Sequence, residues 1–154
     1  MKLLLQRVTQ AKVTVDQTVT GEIKQGILVF VGFGQPDKAL FEANTLTPAI
    51  EKASAKIVNL RIFPNSEGKL DYSARDIDAE ILLVPQFTLY GKSEKGRRPD
   101  FTDAMTPAMA AQAFEIFHPI LSKQLGKRVE TGIFGADMAV SLVNDGPFTL
   151  QLSF

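Results

Sequence analysis

The sequence predicts a single α+β domain over residues 1–154, an antiparallel-rich sheet or partial barrel carrying two helical segments. Three observations lead there. The first third and the end of the chain are short aliphatic and β-branched runs separated by polar turns. Two Thr-Pro steps, Thr47-Pro48 and Thr106-Pro107, each open a stretch whose apolar residues recur at helical spacing. No Pro/Gly/Ser-rich linker, internal repeat or low-complexity tract divides the chain, whose length lets roughly two-thirds of the unfolded surface be buried.

In order, residues 3–8 and 11–15 read as strands, the second cleanly alternating, and residues 19–23 follow after a polar turn. Ile27-Leu28-Val29-Phe30-Val31 is continuously apolar and suits a central strand buried on both faces. From Asp37, with Pro36 before it, Ala39, Leu40, Ala43 and Leu46 keep helical spacing; Thr47-Pro48 restarts the pattern through Ile50, Ala53, Ile57 and Leu60. Residues 60–63 read as a strand, residues 64–68 as a turn, and Ile81-Leu82-Leu83-Val84 as a second buried strand. Residues 90–103 read as a long surface loop. Ala110, Ala113, Phe114, Phe117 and Leu121 form the apolar stripe of the second helix, which Pro119 is expected to kink or end. The chain closes with a strand at 139–143, a turn at Asn144-Asp145-Gly146, and a strand over 148–154.

Composition narrows the chemistry. Seventeen basic and 17 acidic side chains cancel, so a polyanion would have to be met by a local patch and not by bulk charge. The absence of cysteine excludes disulfides, thiolate nucleophiles and Cys-type zinc sites, and a single histidine excludes His-cluster metal sites. The longest apolar run is far shorter than a membrane span, and the start turns polar too soon for a signal peptide. The expectation is a soluble, cytoplasmic domain without metal.

Three places could carry chemistry. Gln86 and Thr88, in Pro85-Gln86-Phe87-Thr88-Leu89, follow a buried strand, where released backbone amides can face a ligand oxygen; the alternative is a solvent-facing strand end. Asn144-Asp145-Gly146-Pro147 is either plain turn punctuation or a site where Pro after Gly admits a cis peptide. Lys92-Ser93-Glu94-Lys95-Gly96-Arg97-Arg98-Pro99 sets four cations against one acid, a phosphate-binding loop or ordinary solvated charge. His118, with no partnering Ser or carboxylate pattern, reads as structural, which makes a Ser-His-Asp or Cys-His hydrolase a poor fit.

Taken together, Gln6-Arg7-Val8, Gly21-Glu22-Ile23, Arg61-Ile62-Phe63, Gln86-Phe87-Thr88-Leu89, Gly96-Arg97-Arg98-Pro99-Asp100-Phe101, Phe134-Gly135-Ala136-Asp137-Met138 and the run from Val140 to Thr149 resemble the D-aminoacyl-tRNA deacylase family, of the D-tyrosyl-tRNA deacylase type. The motifs Ser-Gln-Xaa-Thr-Leu and Asn-Xaa-Gly-Pro-Xaa-Thr fall in order, except that Pro85 stands in the place of the Ser. A related animal branch, acting on L-alanyl-tRNA mischarged to threonine tRNA, also has Pro there. The resemblance implies a cofactor-free homodimer that hydrolyses the ester between a D-amino acid, or mischarged glycine, and the terminal ribose of tRNA. No membrane or DNA partner is expected. The alternatives are the animal-branch activity, a non-catalytic tRNA-end binding module, and a small-molecule esterase or amidase.

The resemblance also assigns residues. Gln86, Phe87 and Thr88 form the catalytic segment, with the Phe87 and Thr88 amides at the substrate carbonyl. Gly146 and Pro147 form a Gly-cisPro element that enters the partner's site, rejects the L hand with main-chain carbonyls, and is steadied by Arg7. Phe134 and Met138 line the adenosine pocket, and the terminal 2′-hydroxyl assists the attacking water. Lys95, Arg97 and Arg98 are expected at tRNA phosphates.

Overall fold

In a computed structural model, which describes residues 1–94 and 96–154, the chain folds as a nearly closed six-stranded mixed sheet with three helices. The strands are β1 (Lys2–Val15), β2 (Thr18–Ile23), β3 (Gly26–Gly32), β6 (Glu80–Pro85), β7 (Glu130–Thr131) and β8 (Ala139–Ser153); β4 (Phe63–Pro64) and β5 (Leu70–Tyr72) make a separate small hairpin. Helices α1 (Gln35–Glu42), α2 (Leu46–Asn59) and α3 (Pro107–Leu125) cover one face. The sheet order is β2-β1-β3-β6-β7, with β8 along β1. β1 pairs antiparallel with β2, β3 and β8, whereas β3–β6 and β6–β7 are parallel. Closure is tight at Gly21 of β2, where a Cβ would lie 2.7 Å from the Thr131 carbonyl oxygen of β7.

Period-two alternation divides the apolar residues between two cores. Leu3, Leu5, Ile27, Val29, Val31, Ile81 and Leu83 face the helices, meeting Ile50, Ala53 and Ile57 of α2 and Ala113, Phe114, Phe117 and Leu121 of α3. Val8, Ala11, Val13, Ile23, Leu28, Leu82 and Val84 fill the inside of the curled sheet. In β1 the odd-numbered residues pass from the first core to the second. The change falls at the irregular stretch of pairing with β8 between Gln6 and Gln10, where the register shifts twice and the strand bends from one core to the other.

The structure corrects several expectations. Residues 3–8 and 11–15 are one strand, because β8 pairs along both halves while β3 and β2 share the other edge. There are three helices, not two segments: α1 ends at Glu42 with Ala43 as its C-cap, and α2 starts at Leu46 behind Thr45, ahead of the expected cap. Pro48 is then the third helical residue, still among the first-turn amides that need no intrahelical acceptor. α3 runs through Pro119 to Leu125, since that ring lies on the exposed side, where the carbonyl it leaves unpaired can meet water. Only Phe63 and Pro64 of the 60–64 region are strand. Asn144-Asp145-Gly146 is no hairpin turn: residues on both sides pair antiparallel with β1, so the chain never reverses. His118 is structural as expected, Nε2 meeting the Val129 carbonyl at 2.9 Å. No helix among the described residues is long and apolar enough to cross a membrane.

Candidate active site

A cavity of about 720 Å3 opens where β6 ends. Val84, Pro85, Gln86 and Phe87 form one wall, and Phe134, Gly135, Ala136, Asp137, Met138 and Val140 the opposite one. Met105 and Ala110, both buried, are among its other lining residues. The sheet builds the first wall: Gln86 N donates to the Val31 carbonyl at 2.7 Å, and the chain then leaves the ladder as a single 3-10 turn, Phe87–Tyr90. Gln86 and Thr88 are thus on a turn beyond the strand, not on an alternating strand end.

The turn's hydrogen bonds begin at Leu89 N, which reaches the Gln86 carbonyl at 3.3 Å. The amides of Phe87 and Thr88 precede it and find no acceptor in the chain among the described residues, as the opening of any helical turn dictates. The Thr88 hydroxyl accepts a short hydrogen bond from Gln86 Nε2. Phe87 is 53% exposed and rests edge-on against Phe101 at 5.1 Å between ring centroids.

The opposite wall is anchored by packing. Phe134 tilts against Phe114 of α3 at 6.4 Å, and Gly132 clears room for Met138, whose sulfur would lie 2.7 Å from a Cβ there. Asp137 is the only carboxylate among the lining residues. Asp137, Phe101, Met105 and Ala110 were not singled out from sequence as site residues. Phe101 and Asp137 sit inside the quoted motifs, but Met105 and Ala110 carry only a core signature.

Arg7, Gly146 and Pro147 come together elsewhere, and none lines this cavity in the same chain. Between the pairs Val8↔Asn144 and Gln6↔Thr149, residues 145–148 leave the ladder as an exposed excursion whose Gly146–Pro147 peptide is cis. The motif's polar ends staple its neck: Asn144 Oδ1 accepts from Phe148 N at 2.9 Å, and Asn144 Nδ2 donates to Thr149 Oγ1 at 2.9 Å. Pro147, out of the ladder, needs no N–H. Arg7, buried, reaches beneath: Nε donates to the Asp145 carbonyl at 3.1 Å and pairs with its carboxylate at 3.0 Å, while Nη1 donates to the Ile62 carbonyl at 2.6 Å. Gly146, at φ +132°, has room for no Cβ without crowding Arg7 Nη2 at 3.0 Å.

The basic loop is tied at its base. Lys92 and Asp100 bridge, and Lys92 Nζ pairs with Asp103 at 2.6 Å, which raises the Lys92 ammonium above its ordinary value. Hydrogen bonds from the Thr102 amide and hydroxyl hold the Asp100 carboxyl below the usual range. Arg97 and Arg98 are exposed and make no ion pair among the described residues; Lys95 lies outside the described residues. One of the four counted cations, Lys92, is therefore already neutralised within the loop.

The family described as D-Tyr-tRNA(Tyr) deacylase matches over residues 4–153. A solved structure described as the c-Myc DNA Unwinding Element Binding Protein is 37% identical, with a TM-score of 0.86, covering 100% of this chain and 99% of that one. Another, described as a probable eukaryotic D-amino acid tRNA deacylase, shares the fold at a TM-score of 0.81 and 19% identity, over 98% of this chain and 97% of that chain.

Proposed function

The chain belongs to the D-Tyr-tRNA(Tyr) deacylase family, hydrolases of the ester between a D-amino acid and tRNA, and on that premise we propose how its own residues perform the reaction. The observation that carries the reading is the cavity itself, which Phe87 lines at the start of a turn whose first two amides have no acceptor among the described residues, with a largely apolar wall among its other sides. The terminal adenosine lies against Phe134 and Met138, and the ester carbonyl points at the Phe87 and Thr88 amides. As water adds and the carbonyl oxygen gains charge, those amides are already aimed at it; a single donor of this kind is worth roughly 10²–10³ in rate.

The attacking water is activated by the 2′-hydroxyl of the terminal ribose. Two features support this assignment. His118 is engaged at the Val129 carbonyl, and the Thr88 hydroxyl is held by Gln86 as part of the turn. Thr88 is a positioning residue in this scheme, not a nucleophile.

Discrimination between the hands comes from the Gly146–Pro147 carbonyls of a second copy. Main-chain oxygens can accept the α-ammonium and fill the space of an L side chain without reading which side chain it is. The supporting feature is β8, whose outer edge has no strand partner among the described residues. Its Val140, Leu142, Phe148, Leu150 and Leu152 are only half-buried, with Val143 exposed beside them. A homodimer would cover this face and carry each exposed excursion to the other chain's cavity. Glycine mischarged on tRNA, having no side chain, passes the same gate. Arg97, Arg98 and Lys95 approach phosphates of the acceptor stem.

The test is hydrolysis of D- and L-tyrosyl-tRNA, with D-tyrosyl-tRNA ending in 2′-deoxyadenosine as the third substrate. Expected are turnover of the D form only, loss of at least about 10²-fold with the 2′-deoxy end, and retained turnover in Thr88→Ala and Asp137→Asn. Equal cleavage of both hands defeats the gate. A 2′-deoxy substrate cleaved normally, alongside an inactive Asp137→Asn, moves water activation to the carboxylate.

A further inference from the structure

The turn that carries the Phe87 and Thr88 amides is a single 3-10 turn with no buried residue of its own. So short a turn has little intrinsic stability, because one or two hydrogen bonds must fix several backbone torsions. Amides that are to act as preorganised donors therefore need a hold from outside the turn. The structure supplies that hold from elements far off in sequence, through residues that do not line the cavity.

Tyr90, the last residue of the turn, lays its ring on the backbone of Gly34, where any Cβ would overlap it, and 3.3 Å from a Cβ at Gly32. Its hydroxyl donates to Asp37 Oδ2 at 3.3 Å. Asp37 is itself buried and fixed: Oδ2 accepts from Gly34 N at 2.8 Å, and Oδ1 meets the Met1 ammonium at 2.6 Å. Lys2 completes the arrangement, Nζ donating to the Leu89 carbonyl at 3.1 Å while lying 4.6 Å from the centre of the Tyr90 ring. Two consecutive residues of the turn are thus gripped by β1 and by the first turn of α1.

We infer that Tyr90, Asp37 and Lys2 are positioning residues that fix the aim of the Phe87 and Thr88 amides at the substrate carbonyl. The inference rests on the reading of that turn as the substrate-facing one. Burial first, and then the neighbouring Asp37, push the Tyr90 phenol well above its ordinary range, so it remains a donor across all working pH. Lys2 acts through the Leu89 carbonyl, one peptide away from Thr88. None of the three lines the cavity, so their effect falls on the rate of the chemical step and not on binding.

The experiment uses the full chain with Tyr90→Phe, Lys2→Met and the double substitution, which keep the ring and the aliphatic stem but remove the two donors. Hydrogen exchange of the turn amides, thermal melting, and kcat and KM on D-tyrosyl-tRNA are measured side by side. The double variant is expected to exchange the Leu89 and Gly91 amides about tenfold faster and to lose about tenfold in kcat, with KM within about threefold and melting within a few degrees. Lys2→Arg, which keeps a donor, restores most of the rate. Unchanged exchange, faster exchange with unchanged kcat, or a rise in KM alone each overturn the positioning role. A wild-type protein that does not cleave D-tyrosyl-tRNA overturns the function proposed above, and the positioning role with it; an active wild type with an unaffected double variant overturns the positioning role alone.

Discussion

The two motif regions of this chain differ in kind. The cavity at the end of β6 is concave, its walls drawn from β6, the 132–140 segment and the loop leading into α3, and side chains do most of the lining. The Gly146–Pro147 excursion is convex and exposed, with the Asp145 carbonyl and carboxylate at its start held by one buried guanidinium. A concave region can complete itself within a chain. Under the proposed reading a convex one acts only against a second copy, and the apolar residues of β8 around it are only half-buried.

Mixing tests that contrast most severely. Phe134→Ala alters the cavity wall, and the proposed base–aromatic contact there would be worth about 1–3 kcal/mol, or roughly 5- to 150-fold in binding. Arg7→Met removes the guanidinium beneath the excursion and leaves the cavity lining in place. If each site takes its gate from the other copy, re-equilibrated mixtures of the two weak variants recover about a quarter of wild-type sites, as random pairing in a symmetric dimer dictates. Mixtures no more active than either variant alone would return the gate to its own chain.

Arg7→Met also sharpens the comparison through stability. It removes the donors to the Asp145 and Ile62 carbonyls, and the uncovered Asp145 carboxylate loses its partner. A loss of about 2–4 kcal/mol in urea unfolding is expected, against less than about 1 for Phe87→Leu on the exposed turn. Comparable losses would show that the excursion is not held the way its contacts suggest.

The smallest effect lies between the regions, on the basic loop. Arg97→Ala with Arg98→Ala should lower the slope of log KM against log salt by about 1–2, leaving kcat unchanged. A pH series should not mimic this. The Asp100 carboxyl lies below its usual range, so its contribution to the loop is complete above roughly pH 4 and is lost only in more acidic solution. Lys92 lies above its ordinary value, so its contribution is lost only as pH rises past roughly 10. Between pH 5 and 9 the loop should therefore answer to salt and not to protons.

Much of the fold was legible because its signals are local. The runs at 27–31 and 81–84 became the buried parts of β3 and β6, and Ala110, Ala113, Phe114, Phe117 and Leu121 are all buried on α3. β5 and β7, three and two residues long, are too short to show a period. Pro119 misled because a proline's cost in a helix depends on which side its ring faces, and the sequence does not print that side. Asp-Gly at 145–146 misled for a related reason: a hairpin and an excursion share the same turn chemistry, and only a partner strand long enough to pair on both sides tells them apart.

The amino-acid order by itself settled the α+β class and the helix stripe and marked the segments on which the proposed chemistry rests, since periodicity and turn chemistry act over a few residues. Tertiary structure alone decided that Arg7 lies beneath residue 145, that Phe87 faces a wall carrying Phe134, and that Tyr90 reaches Asp37. Those meetings depend on sheet closure and register, in which residues tens of positions apart become neighbours because their buried faces must share two cores.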